Sequence, residues 1–281
     1  MLKYRGAAVS AAAITGAAFM LSFCATVCAA EPARTGGAGE IAAAETQEAP
    51  AELSAAACGV MATFDVNLFR LPQEARMLVV VEGLAGSYCG VYAYELTGEG
   101  WMLRMCTPGI MGRNGMSSHR TVGDKTTPVG LFQLNTPFGQ CAPREGFPED
   151  YIQVNKSHVW SDSKNRLVED AGEGGEHVGR AGYAGHYDYV LDAGFNRNAV
   201  PGQGSALFLH CLKESAVDTS GCVAIPKECM AQIMCLYGTY GNGACYIAQA
   251  PAGGFGAVYD SYGANNGLSP DGWEQTVWGI N

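Results

Sequence analysis

Apolar runs and polar breaks alternate through most of this chain at the short spacing of strands. Residues 77–82, 91–96, 101–106, 187–192 and 206–209 are each rich in strand formers and are bounded by glycine or polar clusters. Between the second and third runs, Thr97-Gly98-Glu99-Gly100 has the composition of a hairpin turn. One segment carries a different period: in KECMAQIMCLYG, which starts at Lys227, Met230, Ile233, Met234 and Tyr237 recur on one helical face. Pro226 suits the opening turn of that helix and Gly238 its stop. The pattern therefore predicts a mainly β domain of sandwich or open-barrel type, with one helix late in the chain.

The same pattern sets a base and a thiol close together. The run 206–209 delivers His210 at a strand end, and Cys222 follows twelve positions later, before the predicted helix. A free cysteine is only a few per cent thiolate at neutral pH, so a useful nucleophile needs an imidazole or a helix N-terminus beside it. On this reading Cys222 lies on the strand-to-helix connection, near the positive end of the helix dipole. Ser220 and Gly221 form the turn before it, and the N–H groups of Gly221 and Cys222 face a developing oxyanion. The bland alternative is that a lone Cys and a lone His are packing residues. A zinc site built on His210, Cys211 and Cys222 is disfavoured, because their spacing fits no compact finger and the chain has no CxxC.

The stretch from His210 to Ser220-Gly221-Cys222 resembles the signature of the L,D-transpeptidase (YkuD-type) family, in its form with a short His-to-Cys frame. A second block, from Gly123 through Lys125-Thr126-Thr127-Pro128 to Phe132, resembles that family's Lys-Thr-Pro-x-Gly-x-Phe segment with one extra threonine. Met111-Gly112-Arg113-Asn114-Gly115, Glu176-His177-Val178 and Tyr187-Asp188-Tyr189-Val190-Leu191-Asp192 fit the same subfamily, so the resemblance spans roughly residues 75–238. It implies an L,D-transpeptidase-like β-sandwich or open barrel with a helix following the catalytic cysteine. It also implies acyl transfer on peptidoglycan stem peptides: Cys222 as nucleophile, His210 as general base then acid, Gly221 and Ser220 shaping the oxyanion turn, and no cofactor or metal. His177, in the segment that resembles the family, either lines the cleft or only orders a loop. The family commonly has Arg or another polar residue where this chain has Ala224, so the donor carboxylate needs another cation, from Arg113, Arg120, Lys213 or Lys227. An L,D-carboxypeptidase using the same pair, and a non-enzymatic wall-binding domain, are the alternatives.

Outside that span the composition changes. Lys3 and Arg5 precede an alanine-rich run at 7–23 and small residues at 28–30, which reads as a secretory signal over 1–30, with an uncleaved membrane tether as its alternative. Residues 31–57 are rich in Ala, Glu, Gly, Pro and Thr and lack aromatics, so they read as a disordered linker. A catalytic domain is expected over 58–250, and 251–281 is a Gly/aromatic extension expected to pack on it. The formal charge of −10 makes nucleic acid an improbable partner. Of eleven cysteines, setting aside Cys24, Cys28 and Cys222 leaves eight, which predicts four disulfides in an extracytoplasmic compartment with Cys222 alone reduced. His119, His158 and His186 read as surface or packing residues.

Overall fold

The structure, a computed structural model, describes residues 62–262. The signal and linker readings lie outside the described residues. From the N-terminal side come β1 (Met77–Gly83), β2 (Tyr88–Thr97), β3 (Gly100–Ile110), β4 (Met116–Ser117) and β5 (Thr127–Pro128). Next are β6 (Gly130–Gln133), β7 (Asn135–Gly139), β8 (Ile152–Gln153), β9 (His158–Ser161), β10 (Arg166–Glu169) and β11 (Gly175–Glu176). The chain then forms β12 (Val190–Asp192), β13 (Phe208–Cys211), β14 (Val223–Ile225), the helix α1 (Lys227–Tyr240) and β15 (Cys245–Pro251).

Ten of these strands form one mixed sheet in the order β6-β15-β1-β2-β3-β14-β13-β12-β7-β8, curled into a half-barrel. Every residue of β1 is buried, because the sheet is covered on both faces, and this is why its sequence is a continuous apolar run and not an alternation. Val79 and Val81 face the cluster that holds Met230, Ile233, Met234 and Tyr237 of α1. Leu78 and Val80 face the opposite cluster with Phe69, Tyr92 and Phe255. The described part of the C-terminal extension joins this second cluster through Phe255, Val258 and Tyr262, all buried.

The mainly β class with a single α-helix among the described residues is as the pattern predicts, and the departures have local causes. Gly238 does not stop α1, which runs on to Tyr240 and is capped by Gly241 at φ 74°. Gly238 instead lets another segment approach, since a Cβ there would sit 2.5 Å from Gly146 O. The run 187–192 is a strand only from Val190, because Gly185 N donates to Asp188 Oδ1 and Tyr187 N to Tyr183 O, closing turns upstream. Ala206 has φ 54°, outside extended backbone, so β13 starts at Phe208 and continues past His210 to Cys211.

Cysteine use departs furthest from expectation. Cys89, Cys141, Cys211 and Cys245 carry free thiols alongside Cys222, while Cys106 is disulfide-bonded. Four disulfides with Cys222 alone reduced is therefore not the state observed. Cys89, Cys211 and Cys245 are buried in the main core, where they pack as small hydrophobes, and burial pushes each thiol up to about 12. An even cysteine count cannot distinguish such residues from disulfide partners.

Candidate active site

The turn before Cys222 is held by segments distant in sequence. Thr219 N donates to Met111 O at 3.0 Å, and Arg113 N donates to Thr219 O at 2.9 Å. The Thr127 hydroxyl, fully buried, donates to Gly221 O at 2.9 Å and accepts from Gly112 N at 2.9 Å. The blocks 111–115 and 123–132 thus meet on the Ser220-Gly221-Cys222 turn. Gly221 is required there by its φ of 134°, and by the Thr126 carbonyl oxygen that a Cβ would meet at 2.7 Å. Replacing Thr127 with valine leaves a buried N–H and a buried carbonyl without partners. The expected cost is about 2–3 kcal/mol of stability, read as a lower denaturant midpoint at unchanged slope; an unchanged midpoint would contradict the assignment.

Thr219 was not singled out from sequence, although a threonine two positions before a glycine is a local turn signal. Its hydroxyl accepts from Gly221 N at 3.0 Å and donates to Cys222 O at 2.6 Å. Gly221 N–H is therefore committed to the turn, which leaves the Cys222 N–H as the backbone donor for an oxyanion. Ser220 is exposed, and its side chain makes no hydrogen bond among the described residues.

Cys222 precedes β14 and not α1, which starts five residues later at Lys227. The helix dipole fades beyond the terminal turn, so it does not activate this thiol, contrary to the sequence expectation. Sγ donates to Ala206 O at 3.3 Å and accepts from Phe208 N at 3.4 Å, and it packs against the cluster of Phe138, Trp160, Tyr187 and Phe208. Burial, then the Glu176 carboxylate, push its pKa up to about 12, against the Phe208 amide and Arg120, which pull it down.

His210 is buried at the second-last position of β13. β13 pairs in parallel with β14, His210 opposite Ala224, so Phe208, His210, Cys222 and Ala224 fall on one sheet face while Leu209 and Cys211 point into the core behind. That alternation separates Cys211 from the other two and leaves no His210–Cys211–Cys222 ligand set. Nδ1 lies 2.9 Å from Cys211 O, and a carbonyl only accepts, so Nδ1 carries the proton and Nε2 keeps its lone pair. The ring is flanked edge-on by Tyr187 at 5.4 Å and His186 at 6.0 Å. Burial lowers His210 to about 4.

No hydrogen bond joins Cys222 and His210 among the described residues, and the two shifts oppose an ion pair. At rest the thiol and the imidazole are both neutral, so a reaction through this pair would have to move the proton as the sulfur attacks. Activity is expected to hold a broad plateau, falling on the acid side as His210 protonates near 4 and not near its ordinary 6.5. A pH profile of kcat/KM with an acid limb between about 6 and 7 would contradict this assignment.

The remaining candidates separate into two places. Arg120 lies under the turn, its side chain 6% exposed, with Nη1 3.4 Å from Ser220 O. Arg113 is exposed and paired with Asp218 at 2.9 Å. Lys227 pairs with Asp188 at 2.6 Å and, with Lys213, lines a separate cleft of about 420 Å³ bounded by Gly185 and Leu212. His177, the candidate from this segment, is half-buried, whereas its neighbour Glu176 bears on the thiol directly. Tyr187 OH donates to Glu176 Oε1 at 2.5 Å, Tyr183 stacks on Tyr187 at 4.7 Å, and burial raises the Glu176 pKa.

No family model and no curated protein matches this chain. A solved structure of Bdellovibrio bacteriovorus Bd1075 is similar at a TM-score of 0.34 with 14% identity, over 64% of this chain. The match spans half the length of that structure.

Proposed function

We propose that the chain is an exported cysteine acyltransferase of the L,D-transpeptidase kind, acting on peptidoglycan stem peptides. The observation that most supports the reading is the convergence of residues 111–115 and Thr127 on the turn that presents Cys222, with His210 on the same sheet face. A pair of packing residues has no need of a turn braced from two distant segments.

In the proposed reaction the Cys222 sulfur attacks the carbonyl of the third stem residue, a diamino acid in the family, as its proton passes to His210 Nε2. The tetrahedral oxyanion is met by the Cys222 N–H, a contribution of a few kcal/mol for a well-aimed donor. When the intermediate collapses, the C–N bond breaks and His210 returns the proton to the departing amine of D-alanine, leaving a thioester. An amine from a second stem then opens the thioester, forming a 3-3 cross-link and regenerating the thiol. No step calls for a cofactor.

Product analysis on the full-length protein with a stem tetrapeptide tests the reading. A cross-linked dimer with release of D-alanine is the expected result. A shortened monomer alone identifies a carboxypeptidase using the same pair. Failure of the folded protein to turn over or become acylated by any stem peptide would leave only the wall-binding alternative.

A further inference from the structure

The Arg120 side chain is packed between Gly204 and Gly221, the latter next to Cys222 in the chain. On one side a Cβ on Gly204 would lie 3.3 Å from both Nε and Nη2, and on the other a Cβ on Gly221 would overlap Nη1. Nη1 donates to Thr126 O and to Ser220 O, the latter at 3.4 Å, and lies 3.5 Å from Asp124 Oδ1. Nε is buried with no hydrogen-bond partner among the described residues. Burying a guanidinium with an unmade hydrogen bond is costly, and an apolar side chain would fill the gap without that cost.

The charged groups around Cys222 make this placement functional. Glu176 on β11 and Asp192 on β12 bear on the thiol with negative charge, and the Tyr183 and Tyr187 phenols also face its charge. Arg120 is a cation that acts on the thiol in the opposite sense. Asp124, which caps the turn by accepting from Thr121 N and Thr126 N, partly offsets that charge.

We infer that Arg120 is a positioning residue for the nucleophile: it clamps the Ser220-Gly221 turn from beneath and supplies the fixed positive charge against which the Cys222 thiolate forms, and it does not grip the substrate. The inference rests on Cys222 being the nucleophile and is independent of the acyl donor.

Alkylation by iodoacetamide tests it without any substrate. Rates at Cys222 are followed by peptide mapping on the full-length protein at about pH 8, with the half-buried Cys141 as internal reference and circular dichroism as the check of folding. Arg120→Gln is expected to slow alkylation of Cys222 roughly threefold to tenfold with Cys141 unchanged, the loss of thiolate that follows from a rise of about 0.5–1 pH unit. Arg120→Lys should restore the rate to within roughly twofold, and Asp124→Asn should raise it above wild type, because both follow the charge. An unchanged rate in folded Arg120→Gln, or equal impairment by Lys and Gln, would overturn the inference. Where Arg120→Gln does not fold, Asp124→Asn decides, since a rate at or below wild type excludes the charge effect. Because burial pushes the thiol up to about 12, its rate at pH 8 is expected to be slow, and the comparison is extended to about pH 10; if Cys222 of folded wild type stays unlabelled there too, the inference and the nucleophile assignment fall together, whereas a reactive Cys222 indifferent to Arg120 removes only the inference.

Discussion

Replacing Cys222 with alanine should lower turnover of a stem-peptide donor by roughly a thousandfold or more, with stability changed by about 1 kcal/mol. The two effects separate because Cys222 is only partly buried and its Sγ makes two long contacts, at 3.3 and 3.4 Å, that a methyl group can lose cheaply. The proposed chemistry has no such tolerance, since its thioester would form on that sulfur. Steady-state kinetics and a denaturation curve on the same preparation read both quantities. Normal turnover by the alanine variant would end the mechanism, whereas a collapse of stability would mark the residue as structural.

The second large effect belongs to Gly221→Ala. The backbone there has φ 134°, and the added Cβ would meet Arg120 Nη1 and Thr126 O, so no side-chain rotation relieves the overlap. The turn must move, and with it the Cys222 amide. A loss of at least about 3 kcal/mol of stability and a hundredfold or more of kcat/KM is expected. Gly98→Ala is the control, since nothing lies within 4 Å of its added carbon and it should be nearly silent. Equal behaviour of the two variants would contradict the close-packed turn.

Why some of this was legible in sequence and some was not follows from the forces at each place. β1, β2, β3 and α1 were visible because burial on extended strands and on one helical face imposes periods of its own. β14 was not, because three residues carry no period, and that short strand displaced the expected helix end from Cys222. His210 and Cys222 could be singled out by type and spacing, but the absence of a hydrogen bond between them is a matter of tertiary register. Glu176 and Tyr187 stood in recognisable segments, yet their pairing needs β11 to pass beside the end of β12. Arg120 and Lys227 were equal candidates on paper; only the packing sets one against the Ser220-Gly221 turn and the other against Asp188.

Transient acylation of Cys222 is what distinguishes a nucleophile from a packing residue. Its most direct test is acid-quenched intact-protein mass spectrometry, with peptide mapping, on full-length protein incubated with a stem tetrapeptide and, separately, with a carbapenem, whose strained carbonyl offers the same thiolate a slower-leaving acyl group. The expected result is a covalent adduct confined to the peptide that carries Cys222, equal in mass to the donor less D-alanine in the first case, and absent from Cys222→Ala. An adduct on any other residue, or folded protein left unmodified by both compounds, would contradict it.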